Sequence, residues 1–290
     1  MSLLALAVLG RGLVDPDEPV LHADDVALLR GRAAFETLRV YGGRPFAMDE
    51  HLERLAASAE RIGLPSVARE ELEHLAELAL GVAGEEECVL RFYWTGGRER
   101  TELPMALAMV SALPTHYGEL RARGMRLISL QLGVDAAVRA SSPWLLGGVK
   151  STSYAVNMAA ETEARRRGAD DAVFVSSDGT VLEGPVTNVW WREGSTLYTP
   201  SLDLGILAGV TRSQILGSVG ELGYRVEEGW YPLERLAEAE EAFTSASVRE
   251  IMPAVELDSR PVGDGRPGPA ARSLQDALRR AAYGAAQAPR

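Results

Sequence analysis

The hydrophobic and polar positions along this chain change period in a way that separates strands from helices. Residues 3 to 9 are a short apolar run and read as a first strand. LHADDVALLRG then leads into AAFETLRVYGGRPF, which alternates about Gly42-Gly43 and predicts a hairpin. The period lengthens over MDEHLERLAASAERIGL, which predicts an amphipathic helix capped by Asp49, with Leu52, Leu55, Ala59 and Ile62 inward. Pro65 interrupts, and REELEHLAELALGVAG predicts a second helix. CVLRFYWTGG and MALAMVSAL read as a strand pair closing a small α/β unit near residue 111. ALPTHYGELRARG, with proline, glycine and charge, reads as a connector before MRLISLQLGV opens a second domain. The expected division is therefore 1–111, a connector over 112–124, and 125–290.

The stretch Lys150 to Asn188 concentrates the candidate chemistry. After the lysine, Val156, Ala159, Ala160 and Ala164 predict the apolar side of a helix, opposite Glu161, Glu163 and Arg165 to Arg167, and Gly168 suits its end. A buried-strand run, AVFV, follows, then a turn at Asp178-Gly179 and a second strand, TVLEG, ending near Glu183. A lysine amine in a partly desolvated setting can attack an aldehyde, and a carboxylate can keep a ring nitrogen protonated. Taken alone, the pair reads better as ordinary surface charges, the common fate of a lysine and of a glutamate near a turn.

Composition narrows the classes. At 290 residues the chain suits one large or two medium domains. With 41 acidic against 30 basic residues and a net charge of −11, nothing favours nucleic acid. The one cysteine, Cys88, excludes an internal disulfide, fits a reducing, cytoplasmic compartment, and reads as buried filler before VLRFYW. The four histidines, His22, His51, His74 and His116, make no metal-ligand spacing. MSLLALAVLG is short, lacks a basic start and runs into a turn, so it reads as a strand and not a signal peptide. No run approaches membrane-spanning length.

Ordered pieces then accumulate: Lys150, Asp178-Gly179, Val181, Glu183-Gly184, Asn188, Thr199-Pro200 and Leu207-Ala208-Gly209-Val210-Thr211-Arg212. Together they resemble the class IV aminotransferases, the fold-type IV pyridoxal phosphate enzymes, from about His22 to Gly268. The resemblance implies an α/β chain (α+β in the smaller domain), a two-domain architecture with the active site at the domain interface, and a homodimer. It implies pyridoxal 5′-phosphate as cofactor, small amino and oxo acids as substrates, Lys150 as the Schiff-base lysine and Glu183 as partner of the pyridine nitrogen. Arg54 in HLERL matches the phosphate-binding arginine, GVTR the phosphate cup with Val210 and Thr211, Ser247 and Val248 a further phosphate contact, and Asn188 the asparagine near the cofactor's phenolic oxygen. The family's tyrosine five residues after the lysine is replaced by Ala155, with Tyr154 one residue earlier.

The subclass rests on the substrate side. Phe35 and Thr37 fall on the strand that lines the family's pocket, although Phe35 also suits core by alternation. Arg91 can approach cofactor or a substrate carboxylate, or pair with a carboxylate of its own domain. Arg98 and Arg100 can trap a substrate carboxylate or stay solvated in their loop. KSTSYAVN is closer to the D-amino-acid aminotransferases and aminodeoxychorismate lyases than to the branched-chain enzymes. Thr37 and ALPTHYGELRARGMRL resemble the lyases, whereas TGGRERTELP lacks their glycine-arginine-glycine-tyrosine stretch. A D-amino-acid transaminase is ranked first, with a lyase giving 4-aminobenzoate and pyruvate second and a non-catalytic relative last.

Overall fold

The computed structural model describes residues 2–84, 87–101 and 103–284. The chain divides into two units, one reaching to Pro114 and including Val149–Tyr154, the other comprising Thr115–Gly148 and the chain from Ala155 onward.

The first unit runs β1 (Leu3–Val8), β2 (Gly12–Val14), α1 (Val26–Arg30), β3 (Ala33–Tyr41), β4 (Arg44–Pro45), α2 (Met48–Arg61), α3 (Arg69–Ala83), β5 (Cys88–Thr95) and β6 (Met105–Ala112). Its strands form an antiparallel sheet in the order β2-β1-β6-β5-β3-β4. Alternation decides which face each residue serves. Ala34, Leu38 and Val40, with Leu90, Phe92, Ala106, Ala108 and Val110, turn to the face covered by α2 and α3, where Leu52, Leu55, Ala59, Leu72, Leu75 and Ala79 are buried. Cys88 is buried in the same core. The small side chains of β1 and β6 let α3 lie close to the sheet. The expected hairpin closes through Gly42 and Gly43, both at positive φ (54° and 74°), which suits a tight two-residue turn.

One local expectation changes. Helix α2 begins at Met48 rather than after Asp49, its cap being Ala47 in the left-handed region with no side-chain bond. Asp49 instead sits in the first turn and pairs with Arg69 of α3. The chain reverses straight out of β4, leaving no extended residue ahead of the helix for Asp49 to occupy.

The second unit contains α4 (Tyr117–Arg123), β7 (Met125–Gln131), α5 (Ala136–Ser141), α6 (Ala155–Arg166), β8 (Asp171–Val175), β9 (Asn188–Glu193), β10 (Thr196–Pro200), α7 (Val210–Ser218), β11 (Arg225–Gly229), α8 (Leu233–Ala237), β12 (Glu241–Ala246), β13 (Glu250–Leu257), β14 (Arg260–Pro261) and α9 (Pro269–Tyr283). The sheet is mixed, in the order β11-β10-β9-β12-β13-β7-β8, with β14 on β13. Pairs β10–β11, β13–β7 and β7–β8 are parallel, and the rest antiparallel. Met125, Leu127, Val173, Trp191, Leu236 and Met252 form one core. Trp190 and Phe243 are fully buried and stack at 6.0 Å.

Two features around the central stretch differ from the linear pattern. In α6, Ala160 and Ala164 are buried, but Ala159 is exposed and Val156 is 60 % exposed, so the buried side is narrower than its apolar residues suggest. TVLEG pairs with β8 only over a short run, the Leu182 amide donating to the Phe174 carbonyl and the Phe174 amide to the Glu183 carbonyl. The Val181 amide donates to the Tyr231 carbonyl and the Leu233 amide to the Gly179 carbonyl, pairing Thr180 with Pro232, so the segment divides its hydrogen bonds between two neighbours. Among the described residues, no helix is long and apolar enough to cross a membrane.

Candidate active site

In the first unit the lysine is held by strand β3. The Phe35 amide donates to the Lys150 carbonyl at 3.1 Å, and the Thr152 amide donates to the Ala33 carbonyl at 2.8 Å, a short antiparallel pairing. The Lys150 amide donates to the Ser58 hydroxyl of α2 at 3.2 Å. The lysine backbone is therefore tied to both a strand and a helix. Its Nζ lies 4.2 Å from the Phe35 ring centroid and 6.0 Å from that of Tyr154, and the two rings meet edge to face at 5.2 Å. A cation over ring faces is held electrostatically while its amine stays on a half-open surface. Phe35 also stacks on Tyr93 at 5.9 Å, so its ring is shared between the lysine and a neighbour on the sheet.

Thr37 follows Phe35 on the same sheet face and pairs in register with Arg91, whose Nη1 donates to the Ser111 hydroxyl at 2.7 Å. Phe35, Thr37 and Arg91 are thus brought together. Arg98 and Arg100 lie exposed in the β5–β6 loop, and Arg98 Nε pairs with Asp24 at 2.9 Å.

Arg54 belongs to a buried network that linear reasoning missed. Its Nε and Nη2 donate to the two oxygens of Glu36 at 2.7 and 2.9 Å, and His51 Nδ1 meets Glu36 Oε2 at 2.7 Å. Glu36 is fully buried and His51 is 1 % exposed. Burial works to raise the Glu36 carboxyl, but the Arg54 charge and the bonds from Arg54 and His51 outweigh it and hold it at about 2. Burial pushes His51 below its ordinary value; Glu36 opposes this, while the Arg54 and Lys150 charges add to it. The arrangement is a neutral imidazole donating its Nδ1–H to an ionised carboxylate. A signal existed: Glu36 occupies a core-facing place in the alternation of AAFETLRV, and His51 stands one helical turn before Arg54.

The second unit gathers its own set around one peptide. Leu207 N–H donates to Glu183 Oε2 at 3.0 Å, and the Leu207 carbonyl accepts from Asn188 Nδ2 at 2.9 Å. Arg139 of α5 donates from Nη2 to Glu183 Oε1 at 3.0 Å and to the Gly205 carbonyl at 3.1 Å. Arg139 had no local sequence signal, because only the fold brings α5 to Glu183. Two residues beyond Leu207, Gly209 leaves room for Asn188: a Cβ there would lie 2.0 Å from Asn188 Oδ1. Helix α7 then starts at Val210 with no side-chain cap. Helix geometry gives the amides of Val210 and Thr211 no intrahelical acceptor, and their dipoles add positive potential. Arg212 is buried, donates to the Pro200 carbonyl at 3.2 Å and pairs with Glu228, anchoring α7 to the end of β10.

Ser247 and Val248 occupy the β12–β13 turn. Asn188 pairs with Ser245 in register, so that turn lies at the same sheet end as Asn188. Glu250 closes the turn at φ 58°, fully buried, with Arg121 at 2.8 Å and Arg279 at 3.1 Å on its carboxylate. Glu183, Asn188, Val210, Thr211, Ser247 and Val248 therefore share one end of the sheet. This donor set fits pyridoxal 5′-phosphate: uncapped amides and a hydroxyl suit a phosphate, and an acceptor-only carboxylate suits a protonated ring nitrogen.

Known proteins carry the same arrangement of sequence and fold. The family model for amino-transferase class IV matches residues 33–257. A bifunctional aminodeoxychorismate lyase / D-amino acid transaminase of Mycobacterium tuberculosis is 37 % identical over 222 residues, 73 % of this chain and 77 % of that protein. An aminodeoxychorismate lyase of Bacillus subtilis is 32 % identical over 276 residues, 92 % of this chain and 90 % of its own. The PLP-bound form of a hypothetical aminotransferase from Mycobacterium tuberculosis superposes with a TM-score of 0.89 at 33 % identity, covering 96 % of this chain and 98 % of that one. On a family match spanning most of its length and relatives above 30 % identity, this chain belongs to the class IV aminotransferases and is a pyridoxal 5′-phosphate-dependent enzyme.

Proposed function

We propose that the chain moves an amino group between a D-amino acid and a 2-oxo acid, with Lys150 as the residue that binds the cofactor covalently and carries the proton. The observation that carries this reading is the placement of Lys150, its backbone pinned to β3 and α2 and its Nζ over the Phe35 ring. When bound, pyridoxal 5′-phosphate supplies a conjugated ring that accepts the electron pair left by a departing α-proton. Lys150 Nζ takes that proton from the substrate and returns it. Glu183, held in place by Arg139 and the Leu207 amide, holds a proton on the ring nitrogen. Arg54, Val210, Thr211 and Ser247 hold the phosphate, Val248 lies beside them, and Asn188 serves the phenolic oxygen. Phe35, Thr37 and Arg91 bound the substrate, and Arg98 and Arg100 supply cationic charge at its rim.

A second reading has a specific support. Thr37 presents a hydroxyl beside Phe35, where it can deliver a proton to a departing enolpyruvyl group, and the relatives include an aminodeoxychorismate lyase. Incubating the loaded full chain with D-alanine and 2-oxoglutarate, and separately with aminodeoxychorismate, tests both. Glutamate formed in step with pyruvate supports the transaminase; 4-aminobenzoate with no glutamate replaces it by the lyase. The chain is further proposed to act in the cytoplasm, a compartment its single cysteine suits, and as a homodimer, which exposed apolar side chains such as Leu28, Trp144 and Val156 support. Sedimentation returning only monomer at micromolar concentration overturns the dimer.

A further inference from the structure

We infer that Glu36 and His51 are positioning residues that set the orientation of the Arg54 guanidinium for phosphate, so that cofactor affinity is controlled from the buried side of β3. The inference rests on the reading of Arg54 as a phosphate ligand and goes beyond it. The geometry is a chain of three side chains. Glu36 takes Nε and Nη2 of Arg54 in a side-on fork, at 2.7 and 2.9 Å, which fixes both the plane and the rotation of the guanidinium. A single bond would leave the group free to swing about its long stem. His51 then occupies Glu36 Oε2 at 2.7 Å and stops the carboxylate from turning.

The network also has a direction. Glu36 is fully buried and His51 is 1 % exposed, while Arg54 keeps 13 % of its side chain accessible. Charge is therefore anchored inside and presented outside. His51, Arg54 and Ser58 stand three and four residues apart on α2, a spacing that places them along one side of the helix. Ser58 accepts the Lys150 amide, so this side of α2 both steadies the arginine and holds the lysine backbone.

The test compares the affinity of the full chain for pyridoxal 5′-phosphate with its affinity for pyridoxal, which lacks the phosphate. The ratio isolates phosphate recognition from the rest of the site. Arg54→Ala is expected to collapse the ratio. Glu36→Gln, which cannot accept both guanidinium bonds while accepting from His51, is expected to lower it about tenfold or more. His51→Leu is expected to lower it several-fold, and His51→Asn, whose amide can donate near the Nδ1 position, to restore it. If Arg54→Ala leaves the ratio unchanged, the reading of Arg54 itself falls. If Arg54→Ala collapses it while Glu36→Gln and His51→Leu keep the parent ratio, the reading stands and this inference is overturned. Equal losses for both ligands in the Glu36 and His51 variants also overturn it, because they mark a general structural role. Should Glu36→Gln fail to fold, the contrast between His51→Leu and His51→Asn decides alone.

Discussion

The Phe35 ring lies 4.2 Å from the Lys150 ammonium, and the amide of the same residue donates to the Lys150 carbonyl at 3.1 Å. One strand residue thus holds the lysine at both ends. Lys150→Ala should abolish turnover while leaving the phosphate contacts able to retain cofactor. Borohydride treatment of the loaded parent should fix the cofactor to a peptide containing Lys150, as peptide mapping would show. Undiminished turnover in the alanine variant would remove Lys150 from the chemistry.

Glu183 is expected to matter through its charge. Glu183→Gln keeps the shape and the Leu207 contact but loses the anion, and kcat should fall about a hundredfold because charge stabilisation in a dry site is worth several kcal/mol. Arg139 holds that carboxylate at 3.0 Å and is tied to the Gly205 carbonyl. Arg139→Ala should lower kcat by about tenfold, with Arg139→Lys recovering part of it. Steady-state kinetics at saturating cofactor separate this from weak loading. An Arg139→Ala enzyme with parent kcat would make the arginine a strut of α5 only.

The buried trio makes the fold acid-sensitive. Glu36 has its carboxyl at about 2 in the fold against an ordinary 4.5, so its contribution is complete above about pH 4.5 and lost as pH falls toward 2. That difference corresponds to about 3 kcal/mol for a fully buried group. His51 has a lowered value and stays neutral in the fold. As pH falls through the ordinary histidine range the unfolded chain takes up a proton that the folded one refuses, which again favours unfolding. Both signs agree. The urea midpoint should fall between about pH 7 and pH 5, and His51→Asn should flatten that limb. A midpoint with the same slope in the variant would show that other groups set the acid response.

Much of the proposed site is carried by short linear pieces that can be read from the sequence. Lys150, Glu183 and the Gly209-Val210-Thr211 start of α7 each sit within a few residues of the turn or helix end that positions them. Glu36 and Arg139 were not legible in the same way. Glu36 looks like a misplaced charge in a strand until His51 and Arg54 arrive from α2, and Arg139 meets Glu183 across 44 residues of chain. The narrow buried side of α6 and the divided bonding of TVLEG likewise depend on neighbours distant in sequence.

Thr37 and the loop arginines bear differently on the two leading reactions. Transamination needs the substrate carboxylate held while the proton is returned; the lyase needs a proton delivered to a departing enolpyruvyl group. Lys150 and Glu183 serve both and cannot discriminate. Thr37 can, because it stands next to Phe35 in register with Arg91 and offers a hydroxyl where a valine would offer none. Thr37→Val should leave transamination within a few-fold and depress any 4-aminobenzoate formation strongly. The loop arginines act on the other side of the comparison. Arg98 already has a carboxylate partner in Asp24 at 2.9 Å, so a substrate would have to displace it, and Arg100 should show the larger effect of the two. Arg100→Ala is expected to raise KM for D-amino acids about tenfold, some 1.4 kcal/mol of carboxylate binding, with Arg98→Ala below that. If both arginine variants transaminate like the parent while Thr37→Val abolishes 4-aminobenzoate production, the order of the two readings reverses and the lyase becomes the main activity.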